Sequence, residues 1–573
     1  MQAANMNTDL RRTPPAPLEP VPFDIPRPYE TTLDNGLRII IFEDDRLPLI
    51  SYRLAFKVGD INDPNDARGL TSAMASMLTE GTRDYTSRQL AEKIERLGAS
   101  ISVNSSDDFT IVSASSLSLY RAEILQLISE VVLTPTFPEE ELDLYRRNTL
   151  EHLKFQRSQP GFLANEQAAR LVYGDHPYSR VSPQPKDIEK LDRRRLQQHH
   201  AMIFVPNNAV FIVVGAVDRL ELLDEMGELF SGWQPGKAPV ESFPAPPVRQ
   251  ARGLTLVDRP GSAQSNIVIS NLAINRTHPD YFAALVMNQV LGAGASSRVF
   301  MNLREEKGYT YGAYTRLGTK QLAGDFEATA EVRTEVTGAS LKEFFYELDR
   351  IRNDDVSDEE LADAKNFLTG VFPLRAETQE GLTNLIVNQH LYGLPEDYLQ
   401  TYREKIEAIT SRDVKRVANL HIRPDEVAII IVGDAEEVLR QARPFADSVE
   451  IFDTEGKMQD EARYVVGDDA ETADVAGKWS LNIDFQGQRL PVTMSLEQNG
   501  TDVTGELETM LGNGKIAHGK VTGSKLTATA QAEMQGSPIQ FSISGKADGD
   551  EMSGTITAPI VPEPLSFSGS RKS

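Results

Sequence analysis

At 573 residues the chain exceeds what one hydrophobic core serves, and its length suggests roughly three to four domains. Hydrophobic residues at 40% and charged residues at 25% give a soluble globular balance, and a formal net charge of -25 argues against nucleic acid and anionic membrane surfaces as partners. The absence of cysteine excludes disulfides, thiolate metal sites, iron–sulfur clusters and cysteine nucleophiles, and no apolar run reaches the roughly 18 residues a membrane span needs.

Residues 1–29, Pro-rich over 13–28, read as an extended lead-in without the apolar core of a signal peptide. That fits a cytosolic chain, or a periplasmic one whose signal peptide has been removed. Residues 30–240 open with the strand patterns GLRIIIFED and ISYRLAFKVG, followed by helical stretches such as SRQLAEKIERLG and YRAEILQLISEVV. Residues 241–455 repeat the plan, with GLTLVDR and SNIVISNLAI ahead of LKEFFYELDRIRND and DEELADAKNFLTGVF. The duplication is direct: IEKLDRRRLQQHHAMIFVPNNAVFIVVG at 188–215 aligns with IEAITSRDVKRVANLHIRPDEVAIIIVG at 406–433. Ile188, Pro206 and Gly215 fall on Ile406, Pro424 and Gly433 at one offset. The expected class is α+β, two homologous α/β-layer domains with helices on one face of a mostly antiparallel sheet.

Residues 456–477 are acidic and aperiodic, and read as a linker. From 478 to 573, short alternating segments are separated by turn signals such as Asn499-Gly500, Gly512-Asn513-Gly514 and Asp548-Gly549. This rhythm predicts about eight antiparallel strands closing into a small all-β barrel-like domain, with Trp479 in its packed core.

The histidines offer no metal-binding helix. None of the eight forms a His-x3-His or His-x-x-Glu-His pair, and adjacent His199 and His200 project about 100° apart on a helix. The expectation is therefore no cofactor and no metal on this chain.

Two segments carry the functional reading. Residues 69–82, GLTSAMASMLTEGT, resemble a motif of the pitrilysin/insulinase (inverzincin) family, which includes the mitochondrial processing peptidases. There the matching stretch runs G-L-x-H-x-x-E-H-M-L-x-x-G-T. Ser72 and Ser76 stand where the family places its two zinc-binding histidines, and Ala75 where it places the catalytic Glu. The family's third ligand, a Glu on a later helix, falls at or beside Glu151 and His152. The frame remains, in Gly69, Leu70, Met77, Leu78, Gly81 and Thr82, without the chemistry.

Residues 291–314, LGAGASSRVFMNLREEKGYTYGAY, resemble the second-domain motif of the same family. The resemblance implies that Arg304 and Tyr311, seven residues apart, act as a catalytic pair that orients the substrate and stabilises the oxyanion. Gly292, Gly294, Ser296 and Ser297 would line the peptide-binding wall, where glycines let backbone lie close to substrate. Tyr309 and Tyr314 read as structural aromatics.

Some enzymes of that family pair a zinc-bearing chain with a homologue that has lost the metal. This chain is expected to be the second kind: the non-zinc subunit of a heterodimeric endopeptidase acting on unfolded peptide, with zinc on the partner. The alternative is an inactive peptide-binding or scaffold protein, homodimeric or adaptor-like. The resemblance and the appended tail favour the periplasm over the cytoplasm.

Overall fold

The computed structural model describes residues 25–238, 242–464 and 473–572, apart from 486–487, 510–511, 535–536 and 558–563. The chain divides between Glu461 and Ala462 into two units.

The first unit contains both sequence repeats. Six strands form its first sheet: β1 (Tyr29–Thr32), β2 (Arg38–Glu43), β3 (Leu49–Phe56), β4 (Ser100–Ser105), β5 (Thr110–Leu117) and β6 (Ala209–Gly215), in the order β1-β2-β6-β3-β5-β4. The second sheet comprises β7 (Gly253–Asp258), β8 (Gln264–Ala273), β9 (Thr310–Thr319), β10 (Gly324–Arg333), β11 (Ala428–Gly433), β12 (Ser448–Asp453) and β13 (Met458–Gln459), in the order β13-β12-β7-β11-β8-β10-β9. The duplication is now structural. β2 and β6 pair in parallel, as do β7 and β11, and β3 and β8 run antiparallel to β6 and β11. β4 and β9 each end a sheet.

β6 and β11 are buried along their whole lengths. Continuous β-branched runs of this kind belong to strands covered on both faces. One face of the first sheet presents Ile39, Tyr52, Leu54, Phe211 and Val213 to a core with Met74, Ile128 and Leu196 from its own repeat's helices. The other face is covered by the Gln379–Leu391 helix, which lies on β3 and β6 although it comes from the second repeat. The exchange is reciprocal. The Pro160–Tyr173 helix of the first repeat lies on β8 and β11, where Leu163, Ala164 and Ala168 join Val257, Val268, Ile430 and Val432. Buried Arg53 on β3 donates to Asn384 Oδ1 at 3.1 Å and pairs with Glu380 at 3.0 Å, pinning the visiting helix. The single helical face expected for each sheet thus gains a second cover from the other repeat.

The second unit is a closed antiparallel barrel of eight strands: β14 (Gly477–Phe485), β15 (Gln488–Asn499), β16 (Asp502–Thr509), β17 (Gly512–Thr522), β18 (Lys525–Met534), β19 (Ser537–Asp548), β20 (Glu551–Thr557) and β21 (Leu565–Arg571). Each strand pairs with the next, and β21 closes on β14. Gly500, at φ +64°, makes the tight turn between paired Asn499 and Asp502. Gly512-Asn513-Gly514 begins β17 rather than forming a turn. Trp479 is fully buried with Leu481, Met494, Ile516 and Phe567, and its indole N–H donates to Val475 O at 2.9 Å, so the interior is packed around it.

The acidic segment 456–477 is not all linker. Met458 and Gln459 pair with Phe452 and Ile451, extending the second sheet by one short strand. Its residues 465–472, and residues 1–24 of the lead-in, lie outside the described residues. No described helix is long and apolar enough to cross a membrane.

Candidate functional site

The 69–82 segment folds as the Leu70–Met77 helix, entered through Gly69 at φ +81°. A side chain there would be strained and would also crowd Pro183 at 3.0 Å. Buried Asp63 caps this helix. It accepts from the Gly69 N–H at 2.6 Å, the Thr71 N–H at 2.9 Å and the Thr71 hydroxyl at 2.6 Å, so its oxygens satisfy the first N–H groups of the helix. Burial, reinforced by the neighbouring Asp60 charge, pushes the Asp63 carboxyl up to about 7. His199 completes the chain of contacts. Burial pushes its imidazole down to about 4, so the ring is neutral at pH 7, and its Nε2 lies 2.8 Å from Thr71 Oγ1. Since the Thr71 hydroxyl donates to Asp63, its oxygen takes the His199 Nε2–H.

Ser72, at the family's first histidine position, directs its hydroxyl at Asp60, 2.9 Å from Oδ1 and 2.7 Å from Oδ2. Ser105 on β4 donates to Asp60 Oδ1 at 2.9 Å. Burial pushes the Asp60 carboxyl up, against the pull of these two hydroxyls. Ala75, at the position of the general base, is 1% exposed and packed in the core. Ser76, at the second histidine position, is exposed and donates back to Ser72 O at 2.9 Å. Two hydroxyls and a methyl group cannot supply the imidazole and carboxylate donors of a zinc site. The third-ligand candidates do not compensate. Glu151 and His152 are exposed on the Glu139–Ser158 helix, and Glu151 pairs with Lys154 at 2.7 Å. The residues present do not fit the family's metal.

The 291–314 segment runs from the end of the Tyr281–Leu291 helix through a glycine turn, a short helix and a wide π turn at Met301–Glu306, into edge strand β9. Four expected wall residues separate into two pairs. Gly292 and Ser297 are buried and engaged within the turn, which corrects their expected role as direct peptide contacts. Gly292 O accepts the Thr315 N–H at 2.8 Å, a Cβ there would lie 2.4 Å from Thr315 Oγ1, and the Ser297 hydroxyl donates to Gly294 O at 2.5 Å. Gly294 is half-buried and Ser296 exposed. Arg298 also belongs to the scaffold, because its guanidinium grips Glu360 through two bonds of 2.6 and 2.9 Å and holds that carboxyl down to about 2.

Arg304 lies in the π turn, its guanidinium 5.0 Å over the Phe300 ring and 3.3 Å from Glu305 Oε1. Tyr311 is 89% exposed, in the bulge where the β9–β10 register shifts between Ala330 and Val332. A phenol held so openly has no packing role. Tyr314, by contrast, packs on Phe300 with ring centroids 5.5 Å apart.

Sequence reasoning missed Asp60, Asp63 and His199 as the groups that surround the altered helix. It also missed a cleft of about 400 Å³ between the Pro160–Tyr173 helix and the second sheet. The cleft's charges neutralise one another. Arg316 pairs with Asp325 at 2.9 Å and Glu327 at 2.7 Å, and the Tyr173 hydroxyl donates to Asp325 at 2.6 Å. Lys320 pairs with Asp107 at 2.7 Å.

Comparison with known proteins identifies the two repeats. Residues 39–183 match the family model described as Insulinase (Peptidase family M16), and residues 190–368 the model described as Peptidase M16 inactive domain. The chain is 23% identical over 408 residues, covering 70% of this chain and 92% of the relative, to the non-peptidase homolog YmxG of Helicobacter pylori. It is 24% identical over 427 residues, 73% of this chain and 92% of the relative, to the uncharacterized zinc protease SCO5738 of Streptomyces coelicolor. The solved peptidase M16 inactive domain from Pseudomonas fluorescens superposes with a TM-score of 0.67 at 27% identity, over 71% of this chain and 98% of that one. A protease from Helicobacter pylori superposes with a TM-score of 0.66 at 18% identity, over 71% of this chain and 100% of that one.

Proposed function

This chain belongs to peptidase family M16, and from that premise we propose that it is the non-zinc subunit of a heterodimeric endopeptidase. It binds an extended peptide and supplies Arg304 and Tyr311 to a site whose metal resides on a homologous partner. The observation that carries the reading is the Ser72–Asp60 contact. The position that the resemblance assigns to zinc holds a satisfied hydrogen-bonded pair, which supports a metal carried by another chain rather than by this one. The name of the Helicobacter pylori relative, a non-peptidase homolog, is consistent with a chain that does not hydrolyse alone.

Two sheet edges support peptide binding. β4, beside the altered helix, and β9, which carries Tyr311, each end a sheet, and an extended peptide adds to such an edge through main-chain bonds, on β9 away from Thr315, whose N–H Gly292 O already accepts. Zinc bound on the partner would supply the Lewis acid that lowers the pKa of the attacking water. Arg304 and Tyr311 are donors aimed where negative charge develops on the substrate carbonyl. Their exposure supports this role: Tyr311 is 89% exposed, and Arg304, though over Phe300 and beside Glu305, keeps 44% of its side chain open.

The test is reconstitution with a homologue bearing an intact zinc helix and a fluorogenic peptide. Activity requiring both chains, and lost in the Arg304→Ala, Tyr311→Phe double variant, is the expected result. A stable homodimer that binds peptide without any zinc-bearing partner favours the scaffold reading instead.

A further inference from the structure

Among the described residues outside the altered zinc helix, one group of side chains has the composition of a transition-metal site. Asp280 stands at the N-terminus of the Tyr281–Leu291 helix, and His421 is the last residue of the Ser411–His421 helix, which packs against it. His278 lies two residues before Asp280. One ligand atom from each of the three falls within 4.8 Å of the others. The two imidazoles converge on a single oxygen: Asp280 Oδ2 lies 2.8 Å from His421 Nε2 and 3.9 Å from His278 Nδ1. Their rings meet edge to face, with centroids 5.2 Å apart.

We propose that His278, Asp280 and His421 bind a divalent transition-metal ion, with Zn²⁺ the expected occupant. Two imidazoles and one carboxylate are the donor set that such ions prefer over Mg²⁺ or Ca²⁺. The remaining Asp280 oxygen is held from outside. Oδ1 pairs with Arg416 at 2.8 Å, which fixes the carboxylate's orientation and leaves Oδ2 turned to the rings. Although burial alone would raise the Asp280 carboxyl, Arg416 and His421 hold it below its ordinary value, so the ligand is ionised at neutral pH.

The geometry needs little adjustment. Bonds of about 2.0–2.1 Å in a tetrahedron place ligand atoms roughly 3.3 Å apart, so closure requires movements on the order of 1 Å. His278, with its side chain 38% exposed, makes them by releasing its one backbone bond, and its partial exposure leaves the fourth position to water. Binding replaces the proton between His421 Nε2 and Asp280 Oδ2. That proton moves to Nδ1 of a neutral ring, or leaves to solvent from a charged one. His278 Nδ1 gives up the Asp280 N–H, now 3.1 Å away, to take the metal. An ion here ties the start of one helix to the end of another in the second repeat and has no part in peptide hydrolysis, so it stands or falls apart from the proposed subunit role.

The test uses the full chain, stripped with a chelator and dialysed, then titrated with Zn²⁺ alone in a non-coordinating buffer. One equivalent is expected, with affinity weakened at least about 100-fold in His278→Ala and again in His421→Ala. Co²⁺ in place of Zn²⁺ should give visible d–d bands that vanish in either variant. His278 is half-buried and makes one backbone bond, so retention of the fold in its variant is checked by circular dichroism. Absence of stoichiometric binding in the natural chain, or unchanged binding and Co²⁺ spectrum in the His278→Ala, His421→Ala double variant, overturns the proposal.

Discussion

The Ser72 hydroxyl lies 2.9 and 2.7 Å from the two oxygens of Asp60, at the helix position that the resemblance to the family motif assigns to a zinc-binding histidine. The loss of metal chemistry is therefore more than a deletion. Asp60, drawn out of water, is hydrogen-bonded by Ser72 on the helix and by Ser105 on edge strand β4, so the helix is tied to the strand through one buried carboxyl.

Restoring the motif should not restore the site. In a Ser72→His, Ala75→Glu, Ser76→His variant, the glutamate enters a position only 1% exposed, at a cost of about 3 kcal/mol or more for an unpaired buried charge. The third ligand is still missing, because Glu151 points to solvent with its side chain 73% exposed. The expected outcome is a lower urea midpoint and no peptide hydrolysis by the isolated chain. A variant that cleaves peptide unaided with unchanged stability would falsify this account of the helix.

The exchanged helices make the two repeats one folding unit. Leu163, 3% exposed, packs its first-repeat side chain among second-sheet residues Val257, Val268 and Ile430. Leu163→Ala should cost about 2–5 kcal/mol by leaving a cavity between them. Fluorescence and circular dichroism should lose signal in one shared transition across residues 25–461. Two separated transitions, with only the second-repeat one shifted, would contradict the reciprocal packing.

Legibility followed locality. The 69–82 frame and most of the strand runs and barrel hairpins are set by residues adjacent in the chain and are readable there. Asp60 is not, because its role depends on a helix and an edge strand brought together only by folding. The amphipathic pattern of 160–173 reports an apolar face but not which sheet it covers, so the exchange between repeats was hidden. β17 was obscured by its glycines, and Gly292 and Ser297 looked like open backbone until the turn closed on Thr315 and Gly294. His278 and His421 lie on separate elements, and no spacing rule joins them.

Arg304 and Tyr311 should separate function from stability. Both are substantially exposed, so Arg304→Ala and Tyr311→Phe should leave the thermal midpoint within about 1 °C of the natural chain, as surface changes do. In the reconstituted heterodimer each should lower kcat by about 100-fold, the loss seen when one oxyanion donor is removed. A loss confined to KM would reassign the pair to substrate binding, and no loss would remove it from the site.

The buried histidines and Asp63 give acid stability opposite signs. His200, its Nε2 2.8 Å from Val132 O, is pushed by burial from 6.5 down to about 4. Between those values the unfolded chain takes up a proton that the native ring refuses, so the ring's contribution is complete above pH 6.5 and is lost as pH falls towards 4. The size is on the order of 3 kcal/mol at most. His199, also near 4, acts in the same direction. Asp63, raised to about 7 from 3.8, acts the other way: its contribution is present below 3.8 and is lost as pH rises through about 7. His200→Gln, which keeps a donor for Val132 O, should therefore flatten the fall in urea midpoint between pH 7.5 and 5, and Asp63→Asn should steepen it. Comparing the two pH values within each variant cancels any constant loss of stability, so parallel profiles for all three proteins would show that neither group titrates differently in the fold.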